Sequence, residues 1–572
     1  MQAKGIVASP GIAIGKAHVL KRVDVLGSIP EEKTREPETE AEKLRASGRA
    51  LEERLVQIKS LLPRQEQEIV DAQLLMLDSI ISESLDLISN AGYTAAYSVR
   101  QVYQKYSDML RQGSELFAMR AQDLQDLASR LVLLIKGQGS RGIGGEYKIV
   151  LAEQVDPIEF LELANSGLEG LATREGGVTS HVAILARLRG IPYVIAGNLR
   201  LEGVTEGANT VIDGLNGYVV VEPSGEELRR YARMAGEYQM LLRAFTQEAK
   251  SDAVTLDGSR VNVYCNVGSF EELRILGEYG CGGVGLFRIE FVYMERSSPP
   301  DEEELYNLFS KAAQILGEKP LTVRAPDIGG DKPVPFIELP SEENPQLGLR
   351  GARLLFKHEE DLLLPLVRAL LRASFHGKVR LMLPMVSTVE EVDYFRRIVM
   401  RERERLSSAG VKTGDLELGV MVETPASALL AGEIVGKGGL GFISFGTNDL
   451  TQYVLAADRG NSLVGYLYNE LNPAVLRLIS LAVNSVKGRA EIEVCGEAAS
   501  KPLAIPVLLT LGVESLSVSP QFVGKVKYIL KRLDMRKLRE REHAVLMQTQ
   551  TVEEVVEWAR KILNQSGISF YE

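Results

Sequence analysis

Cysteine is scarce in this chain. Its three cysteines, Cys265, Cys281 and Cys495, are widely spaced and show neither metal-site spacing nor a disulfide framework. We therefore expect Cys265 and Cys281 to be small buried hydrophobic residues. No apolar run approaches the length of a membrane span, and residues 1–5 contain no apolar signal core. These absences predict a cytoplasmic protein without membrane insertion.

Positive charge is also in short supply. The 66 lysines and arginines are outnumbered by 77 acidic residues, which gives a formal net charge of -11. Such a balance argues against a nucleic-acid-binding surface, and an anionic small substrate would need a local basic pocket. The 572 residues exceed the size of one core, so the length predicts about three or four domains.

The most informative stretch is GGVTSHVAILAR at 176–187. Its glycines favour a tight turn, Thr179 and Ser180 can cap a helix, and the apolar run lasts until Gly190. His181 is therefore predicted in the first helical turn, where backbone N–H groups and the helix dipole favour a dianionic group. We interpret His181 as a phosphoryl carrier. The alternative is an ordinary capped helix with a chance histidine.

The N-terminal part alternates between strand-like and helix-like residue patterns. Residues 4–20 predict a pair of strands around Pro10 and Gly11. From 31 to 136 the chain is charged and poor in glycine, with apolar spacings typical of amphipathic helices. Glycines at 137, 139, 142, 144 and 145 then end this segment, and strand-like runs resume. We predict a helical bundle (23–136) inserted into an α/β domain (1–22 and 137–222). Helices are expected at Leu44–Leu62, Ile69–Leu87, Ala95–Leu110 and Leu116–Ile135, and strands at Tyr147–Ala152, Gly170–Thr173, Tyr193–Ala196 and Thr210–Val221.

A glycine-poor run connects this part to the rest. It opens with the spacing of a capping box, Ser224 to Glu227, and continues to about Lys250. We predict a linker helix over 223–251. The alternative is a core helix of the following domain.

Residues 252–572 repeat one pattern eight times: a short apolar run that ends near a polar or charged residue, mostly separated by helical stretches. Eight such units predict a (β/α)8 TIM barrel, with its active site just after the strands. The runs are Val261–Cys265, Gly283–Phe287, Leu321–Val323, Val379–Met385, Leu418–Val422, Ile443–Phe445, Ile492–Cys495 and Leu516–Val518.

The residues placed at these strand ends suit a phosphorylated carboxylic acid. Arginine offers a planar fork for phosphate or carboxylate, and paired carboxylates with substrate oxygens suit Mg²⁺. A thiol at the seventh strand end could protonate a reacting carbon. Rim salt bridges, and a buried hydrophobic role for the cysteine, are the alternatives. The candidates are Arg288, Arg324, Arg459, Asn448, Glu423, Asp449 and Cys495.

Taken together, the motifs resemble those of Enzyme I of the bacterial phosphotransferase system, the phosphoenolpyruvate-protein phosphotransferases. The resemblance runs from end to end. It is carried by GIVASPG at 5–11, GGVTSHVAILAR at 176–187, GVGLFRIEF at 283–291, DIGGDK at 327–332, ENPQLGLR at 343–350, VMVETPA at 420–426, GTNDLTQY at 446–453, DRGN at 458–461 and CGE at 495–497.

This resemblance implies a role for each candidate. His181 would attack through Nε2 and carry the phosphoryl group, and Cys495 would protonate the enolate to give pyruvate. Glu423 and Asp449 would hold Mg²⁺, and phosphoenolpyruvate would be held by Arg288, Arg324, Asn448, Asp449 and Arg459. The bundle would dock the phosphocarrier protein HPr, the linker helix would let the histidine domain swing, and the barrel would form a homodimer.

Two other functions share parts of this pattern. A pyruvate phosphate dikinase or phosphoenolpyruvate synthase would need a nucleotide-binding domain, and the chain has no Gly-x-x-x-x-Gly-Lys loop. A non-catalytic regulator would be expected to lack some of the candidate residues, which are all present. The sequence departs from the usual family pattern at Gln73, Val178 and Ala325-Pro326.

Overall fold

The computed structural model describes residues 1–20, 25–61, 64–110, 115–137, 146–178, 180–294, 296–330, 332–339, 342–461 and 463–570. Within these ranges the chain forms two compact units, residues 1–240 and 241–572, and no helix is long and apolar enough to cross a bilayer. Some predictions fall on positions outside the described residues: Leu62, Thr179 as a cap, Asp331 of the DIGGDK motif, and the glycines at 139, 142, 144 and 145.

The first unit is built on an eight-stranded sheet. Its strand order is β1-β8-β7-β3-β4-β5-β6-β2. The predicted N-terminal strands form, but they do not pair with each other: β2 pairs with β6, whereas β3 lies between β7 and β4. Alternation of residue types along the chain predicts that a segment is extended. It does not predict which strand will pair with that segment, because pairing depends on the rest of the sheet. The strands are β1 (Gln2–Lys4), β2 (Ile6–Ser9), β3 (Ile12–Leu20), β4 (Tyr147–Ala152), β5 (Gly170–Thr173), β6 (Tyr193–Ile195), β7 (Asn209–Asp213) and β8 (Tyr218–Val221).

Helices cover one face of this sheet and extend into the predicted bundle. Leu44, Leu51 and Leu55 are fully buried on one side of the first helix, as its amphipathic spacing requires. The bundle core is continuous with apolar residues of the sheet and of two shorter helices, such as Val150 and Phe160. The helices of this unit are α1 (Pro37–Leu61), α2 (Arg64–Ala91), α3 (Ala95–Leu110), α4 (Glu115–Ile135), α5 (Pro157–Asn165) and α6 (His181–Arg189).

The predicted linker helix is present as α7 (Gly225–Ala249). Its capping box is formed: Glu227 N–H donates to Ser224 Oγ at 3.3 Å, and Ser224 N–H donates to Glu227 Oε2 at 2.8 Å. In the first unit Tyr231 packs against Val211 and Val220. In the second, the Phe245 ring contacts aromatic rings near the C-terminus. The division between the units therefore falls within this helix.

The second unit is the predicted barrel. Eight parallel strands close on themselves, with the last strand paired to the first. Alternate strand residues, such as Val420 and Val422, join the core shared with the surrounding helices, and the others face the barrel interior. The strands are β9 (Asn262–Val267), β10 (Val284–Arg288), β11 (Leu321–Arg324), β12 (Val379–Leu383), β13 (Leu416–Val422), β14 (Phe442–Phe445), β15 (Glu491–Val494) and β16 (Ser515–Val518).

Helices separate these strands, as the repeated pattern predicts. Several start at capping boxes, for example Asp301 with Glu304 and Thr388 with Glu391. The helices are α8 (Phe270–Tyr279), α9 (Phe291–Met294), α10 (Glu302–Leu316), α11 (Ala352–Lys357), α12 (Leu364–Ala373), α13 (Val389–Ser408), α14 (Pro425–Leu429), α15 (Ala431–Gly438), α16 (Thr447–Leu455), α17 (Pro473–Val486), α18 (Ala504–Leu511), α19 (Val523–Leu530), α20 (Met535–Lys537), α21 (His543–Gln548) and α22 (Val552–Gln565).

The expectation for two of the cysteines was wrong in part. Cys265 and Cys281 are buried as predicted, but they are joined by a disulfide bond, with a Cα–Cα distance of 5.8 Å. Cys265 lies beside Val284 in the β9–β10 register, and Cys281 comes just before that strand. The pairing follows from the adjacency of two strands, which cysteine spacing alone does not reveal.

Lys527 ties the end of α7 to the barrel. Its Nζ donates to the backbone oxygens of Ala249, Ser251 and Gly280 at 2.7, 2.9 and 2.7 Å. The side chain is buried, and burial lowers the pKa of its ammonium group. One buried lysine thus donates to three backbone carbonyls, all on partly buried residues.

We expect Lys527→Met to lower the free energy of unfolding of this unit by about 2–4 kcal/mol, because three partly buried carbonyls lose a charged hydrogen-bond donor. Trp558 is the only tryptophan of the chain and is buried in α22, so its fluorescence during urea titration reports this unit. Lys531→Met is the matched control. It removes a partly exposed ion pair with Glu248 and should cost about 1 kcal/mol or less. Equal losses in both variants would contradict the prediction.

Candidate active site

His181 is the first residue of α6, as predicted. Ser180 caps this helix, its Oγ accepting from Ala183 N–H at 3.3 Å, and Gly190 ends it in the left-handed region. The imidazole is partly exposed. It therefore lies where the first turn presents backbone N–H groups and the positive end of the helix dipole.

The loop before His181 is held by its neighbours. Arg187 donates from Nη1 to the backbone oxygens of Ala8 and Val178 at 2.9 and 3.0 Å. Gly176 has a φ of +148°, and a Cβ there would lie 2.9 Å from the Tyr193 hydroxyl oxygen. A glycine is thus needed for both conformation and space. Val178, one of the departures from the family pattern, is 40% exposed.

At the carboxyl ends of the barrel strands lies a buried ion network. Arg324, the last residue of β11, donates to the Glu290 carboxylate, which also accepts the Asp327 backbone N–H at 3.0 Å. Asp327 accepts from Nε and Nη2 of Arg350 at 3.2 and 2.7 Å. Burial alone would raise the pKa of Asp327, but the cations of Arg324, Lys332 and Arg350 outweigh burial and lower it well below its usual range.

Two arginines of this region remain suited to an anion. Arg288 and Arg324 are directly opposite each other in the β10–β11 register, and the Arg288 side chain is exposed. Arg324 is buried, and its Nε donates no hydrogen bond within the described ranges. Ala325 and Pro326, another departure from the family pattern, continue the buried segment. The arginine therefore has an unpaired donor at the strand ends.

Glu423, directly after β13, is a buried carboxylate with one unpaired oxygen. Its Oε1 accepts from Met385 N–H at 2.6 Å, while Oε2 has no hydrogen-bond partner among the described residues. A Cβ on Gly446 would lie 2.9 Å from Oε2. Burial, followed by the negative charges of Asp449 and Asp327, raises the pKa of Glu423 to about 8. Such a carboxylate is suited to a cation.

The Asp449 carboxylate lies in the first turn of α16, with Oδ1 3.6 Å from Arg350 Nη1. Asp449 is close enough to Glu423 for its negative charge to help raise the pKa of Glu423. No group of three or more metal-ligating side chains is found within the part of the chain that the structure describes. A cation here would therefore need further oxygen ligands from water or substrate.

Asn448 pairs with the segment after β15. Its Nδ2 donates to Glu497 Oε1 at 3.2 Å, and its Oδ1 accepts from Glu497 N–H at 3.0 Å. The interpretation of Arg459 as a strand-end residue was wrong, because it lies in an exposed loop beyond α16. Its guanidinium interacts with Tyr468, whose hydroxyl donates to the Asn448 backbone oxygen at 3.2 Å. This tyrosine links the loop to the site.

Cys495 lies just after β15 and is 3% exposed. It packs with Leu286, Met382, Met421 and Phe442, a small apolar cluster. Burial, and then the charge of Glu493, raises the pKa of the Cys495 thiol to about 12. The thiol therefore holds its proton at neutral pH, as a proton donor must.

Sequence reasoning left several of these side chains without a role. Glu290, Asp327 and Arg350 lie within motifs used for the resemblance, but only the fold shows that they surround Arg324. Glu497 was likewise missed. A detectable signal was present, since Glu290 and Asp327 follow shortly after strands, as catalytic barrel residues do.

Comparison with known proteins first defines a class. Three family models of phosphoenolpyruvate-utilising enzymes match the chain: the N-terminal region over residues 4–120, the mobile domain over 144–217 and the phosphoenolpyruvate-binding domain over 243–535. The last of these covers the barrel and half of the chain, and the mobile domain contains His181. The chain is thus built from the three parts of a phosphoenolpyruvate-utilising enzyme.

Full-length relatives narrow this class. The chain is 34% identical to the phosphoenolpyruvate-protein phosphotransferase of Priestia megaterium over 97% of its length and 98% of the relative's. It is 35% identical to that of Staphylococcus aureus, with the same two coverages. The chain belongs to the phosphoenolpyruvate-protein phosphotransferases, the Enzyme I family of the sugar phosphotransferase system. The expected family, fold class and enzymatic activity are confirmed.

The burial of Cys495 predicts slow alkylation. At pH 8 we expect the native thiol to react with iodoacetamide at least about a hundredfold more slowly than an unstructured cysteine, because so little thiolate is present. The rate should still be rising at pH 10, since the pKa is about 12. Without reductant Cys495 is the single thiol, and unfolding in urea should restore an ordinary rate. A plateau below pH 9 in the native protein would contradict the assignment.

Proposed function

We propose that the barrel binds phosphoenolpyruvate, that His181 accepts its phosphoryl group, and that Cys495 protonates the resulting enolate to give pyruvate. The proposal rests on one observation: a cationic group and an anionic group that both lack a hydrogen-bond partner lie at the same end of the barrel. Arg324 Nε and Glu423 Oε2 are both buried without hydrogen-bond partners among the described residues. Buried polar atoms of this kind are costly unless a ligand completes them.

Arg288 and Arg324 are the groups that would hold the phosphate. They end neighbouring strands, and arginine recognises phosphate through paired N–H donors without losing its charge. Arg459 and Asn448, linked by Tyr468, would also bind the substrate. For Asn448 this requires exchange of its present hydrogen bonds with Glu497.

Mg²⁺ is the cofactor that fits Glu423 and Asp449. Phosphoenolpyruvate-utilising enzymes typically need a divalent metal, and hard oxygen ligands suit Mg²⁺. When bound, the ion would offset negative charge on the transferring phosphoryl group. The protein's contribution is to hold the Glu423 carboxylate in place through Met385 N–H and to leave space beside it at Gly446.

Two side chains of the protein, Cys495 and His181, would take part in the chemical steps. Loss of the phosphoryl group leaves the enolate of pyruvate, and the Cys495 thiol gives its proton to the terminal carbon. His181 receives the phosphoryl group on Nε2, at a helix end that favours phosphate. One further transfer would then pass the group from His181 to a histidine of HPr.

We also propose a role for each domain. Residues 1–22 and 137–222 would form the phosphohistidine domain, 23–136 the HPr-binding bundle, 223–251 the linker helix, and 252–572 the substrate-binding and dimerisation barrel. The four-helix bundle and the continuous helix α7 support the division. The mobile-domain match over 144–217 supports the role of the His181 domain.

We expect one acid-labile phosphoryl group per chain after incubation with phosphoenolpyruvate and Mg²⁺, measured by intact mass. His181→Ala should abolish this adduct yet retain phosphoenolpyruvate binding, because the two sites are separate. The control is His18→Gln, which removes another histidine of the first unit, one that pairs with Glu206. Loss of both adduct and binding in His181→Ala, or an adduct that persists in it, would refute the assignment.

The raised pKa of Glu423 predicts a pH-dependent metal affinity. Metal binding must displace the proton that this carboxyl holds below about pH 8, so affinity for Mg²⁺ should rise between pH 6.5 and 8. Calorimetry in buffers of different ionisation enthalpy should detect proton release at the lower pH. Glu423→Gln should bind weakly and release no proton. A wild-type affinity that is constant over this range would contradict the prediction.

A further inference from the structure

The backbone of Cys495 is held on one flank by the neighbouring strand β14. Its N–H donates to the Phe445 backbone oxygen at 3.2 Å, and its thiol donates to the same oxygen at 3.8 Å. On the other flank the strand pairing has already stopped, because the β15–β16 register ends at Val494 and Leu516. The carbonyl of Cys495 therefore lies just beyond the ladder and needs a donor from elsewhere.

An asparagine side chain supplies that donor. Asn266, near the end of β9, donates from Nδ2 to the Cys495 backbone oxygen at 3.0 Å. Strand β16 lies between β9 and β15 in the closed barrel, so this hydrogen bond spans an intervening strand. On that strand Ser517 is fully buried, and its hydroxyl donates to Asn266 Oδ1 at 2.7 Å. The Cys495 carbonyl is thus fixed by a side chain that is itself fixed by a third strand.

The two neighbours of the Asn266 amide determine which way it points. A backbone oxygen can only accept a hydrogen bond, so it faces the NH2 group, and the Ser517 hydroxyl can donate to the amide oxygen. Gly285 leaves the space for this hydroxyl, since a Cβ there would lie 2.5 Å from Ser517 Oγ. An aspartate in place of Asn266 would still accept from Ser517 but would have no N–H for the Cys495 carbonyl.

Asn448 also fixes the segment around Cys495, but it is one of the residues proposed to bind the substrate. It forms two hydrogen bonds with Glu497, two residues after Cys495. Under the proposed function these bonds are exchanged when phosphoenolpyruvate binds. Asn266 bonds to Cys495 itself and is not among the proposed substrate-binding residues. Its hydrogen bond can therefore keep Cys495 in place while Asn448 turns to the substrate.

We infer that Asn266 is a positioning residue, which fixes the Cys495 backbone so that the thiol protonates the enolate from one face. This inference rests on the proposed function, in which Cys495 gives its proton to the terminal carbon. In that step the S–H bond breaks, a C–H bond forms, and the sulfur is left as a thiolate. A misplacement of about 1 Å can slow a reaction about a hundredfold. Asn266 acts on the reaction only through Cys495.

The stereochemistry of protonation tests this inference. The full-length enzyme with Mg²⁺, equilibrated in deuterated water, converts less than one equivalent of phosphoenolpyruvate that carries tritium in the Z position of its terminal carbon. Lactate dehydrogenase and NADH trap the pyruvate as it forms. The labelled methyl group then contains all three hydrogen isotopes, and its configuration is determined by chiral-methyl analysis.

The quantity compared is the ratio of stereospecific to random protonation. A correctly placed thiol delivers its deuteron to one face of the enolate and gives a single configuration. An enolate that the thiol fails to protonate takes its deuteron from water on either face and gives both configurations. A variant that only slows phosphoryl transfer to His181 leaves this ratio unchanged, because the ratio is set after that transfer.

In the wild type one configuration should be in large excess. In Asn266→Ala and Asn266→Asp the ratio should fall about tenfold, because a displaced thiol competes less well with water. Ser517→Ala should cause a smaller fall in the same direction.

The matched control is Asn262→Ala. Asn262 lies four residues before Asn266 on the same side of β9, and its Nδ2 donates to Glu491 Oε1 at 3.0 Å and to Ser515 Oγ at 3.2 Å. Both partners are the first residues of their strands, whereas Cys495 follows the end of β15. This variant should keep the wild-type ratio.

A wild-type ratio in both Asn266→Ala and Asn266→Asp would overturn the inference, even if the overall rate falls. An equal fall in Asn262→Ala would also overturn it. If Trp558 fluorescence shows that one Asn266 variant is unfolded, the other variant and Ser517→Ala decide. Random methyl groups from the wild type, or an unchanged ratio in Cys495→Ala, would instead refute the proposed function.

Discussion

The buried carboxylate of Asp327 is the constraint on which the site depends. It binds Arg350 through two hydrogen bonds and lies beside Arg324 and Lys332. A buried ion pair stabilises little by itself, but removal of one member leaves an uncompensated charge. Because Glu290 fixes both Arg324 and the Asp327 backbone, the network holds at the strand ends an arginine whose Nε has no hydrogen-bond partner in the described part of the chain. Arg350 extends the same network to Asp449.

The barrel interior shows how space is reserved for these polar groups. Glycine stands beside several of the buried polar side chains: Gly446 next to Glu423, Gly285 next to Glu493, and Gly496 against Thr447, where a Cβ would come within 1.9 Å of the hydroxyl oxygen. A barrel filled by branched aliphatic residues would be easier to stabilise. The polar interior costs stability through desolvation, which is visible in the raised pKa values of Glu423 and Glu493.

Much of this arrangement was predictable because it depends on local pattern. The eight strand runs, the capped helix at His181 and the linker helix follow from periodicity and caps, and each is present. The errors have a common cause, since they concern partners distant in sequence. β2 and β3 pair elsewhere in the sheet, Cys265 meets Cys281 across two strands, and Arg459 approaches the site through Tyr468 instead of from a strand end.

The sequence by itself determined the family, the barrel and the chemical type of each candidate, because strand ends, helix caps and residue chemistry are encoded over short stretches. The tertiary structure decided which of these groups are unsatisfied. Among the described residues no partner reaches Glu423 Oε2 or Arg324 Nε, and burial, followed by the charge of Glu493, raises the pKa of the Cys495 thiol to about 12. Burial and charge proximity arise from contacts between distant segments, and those contacts exist only once the barrel has closed.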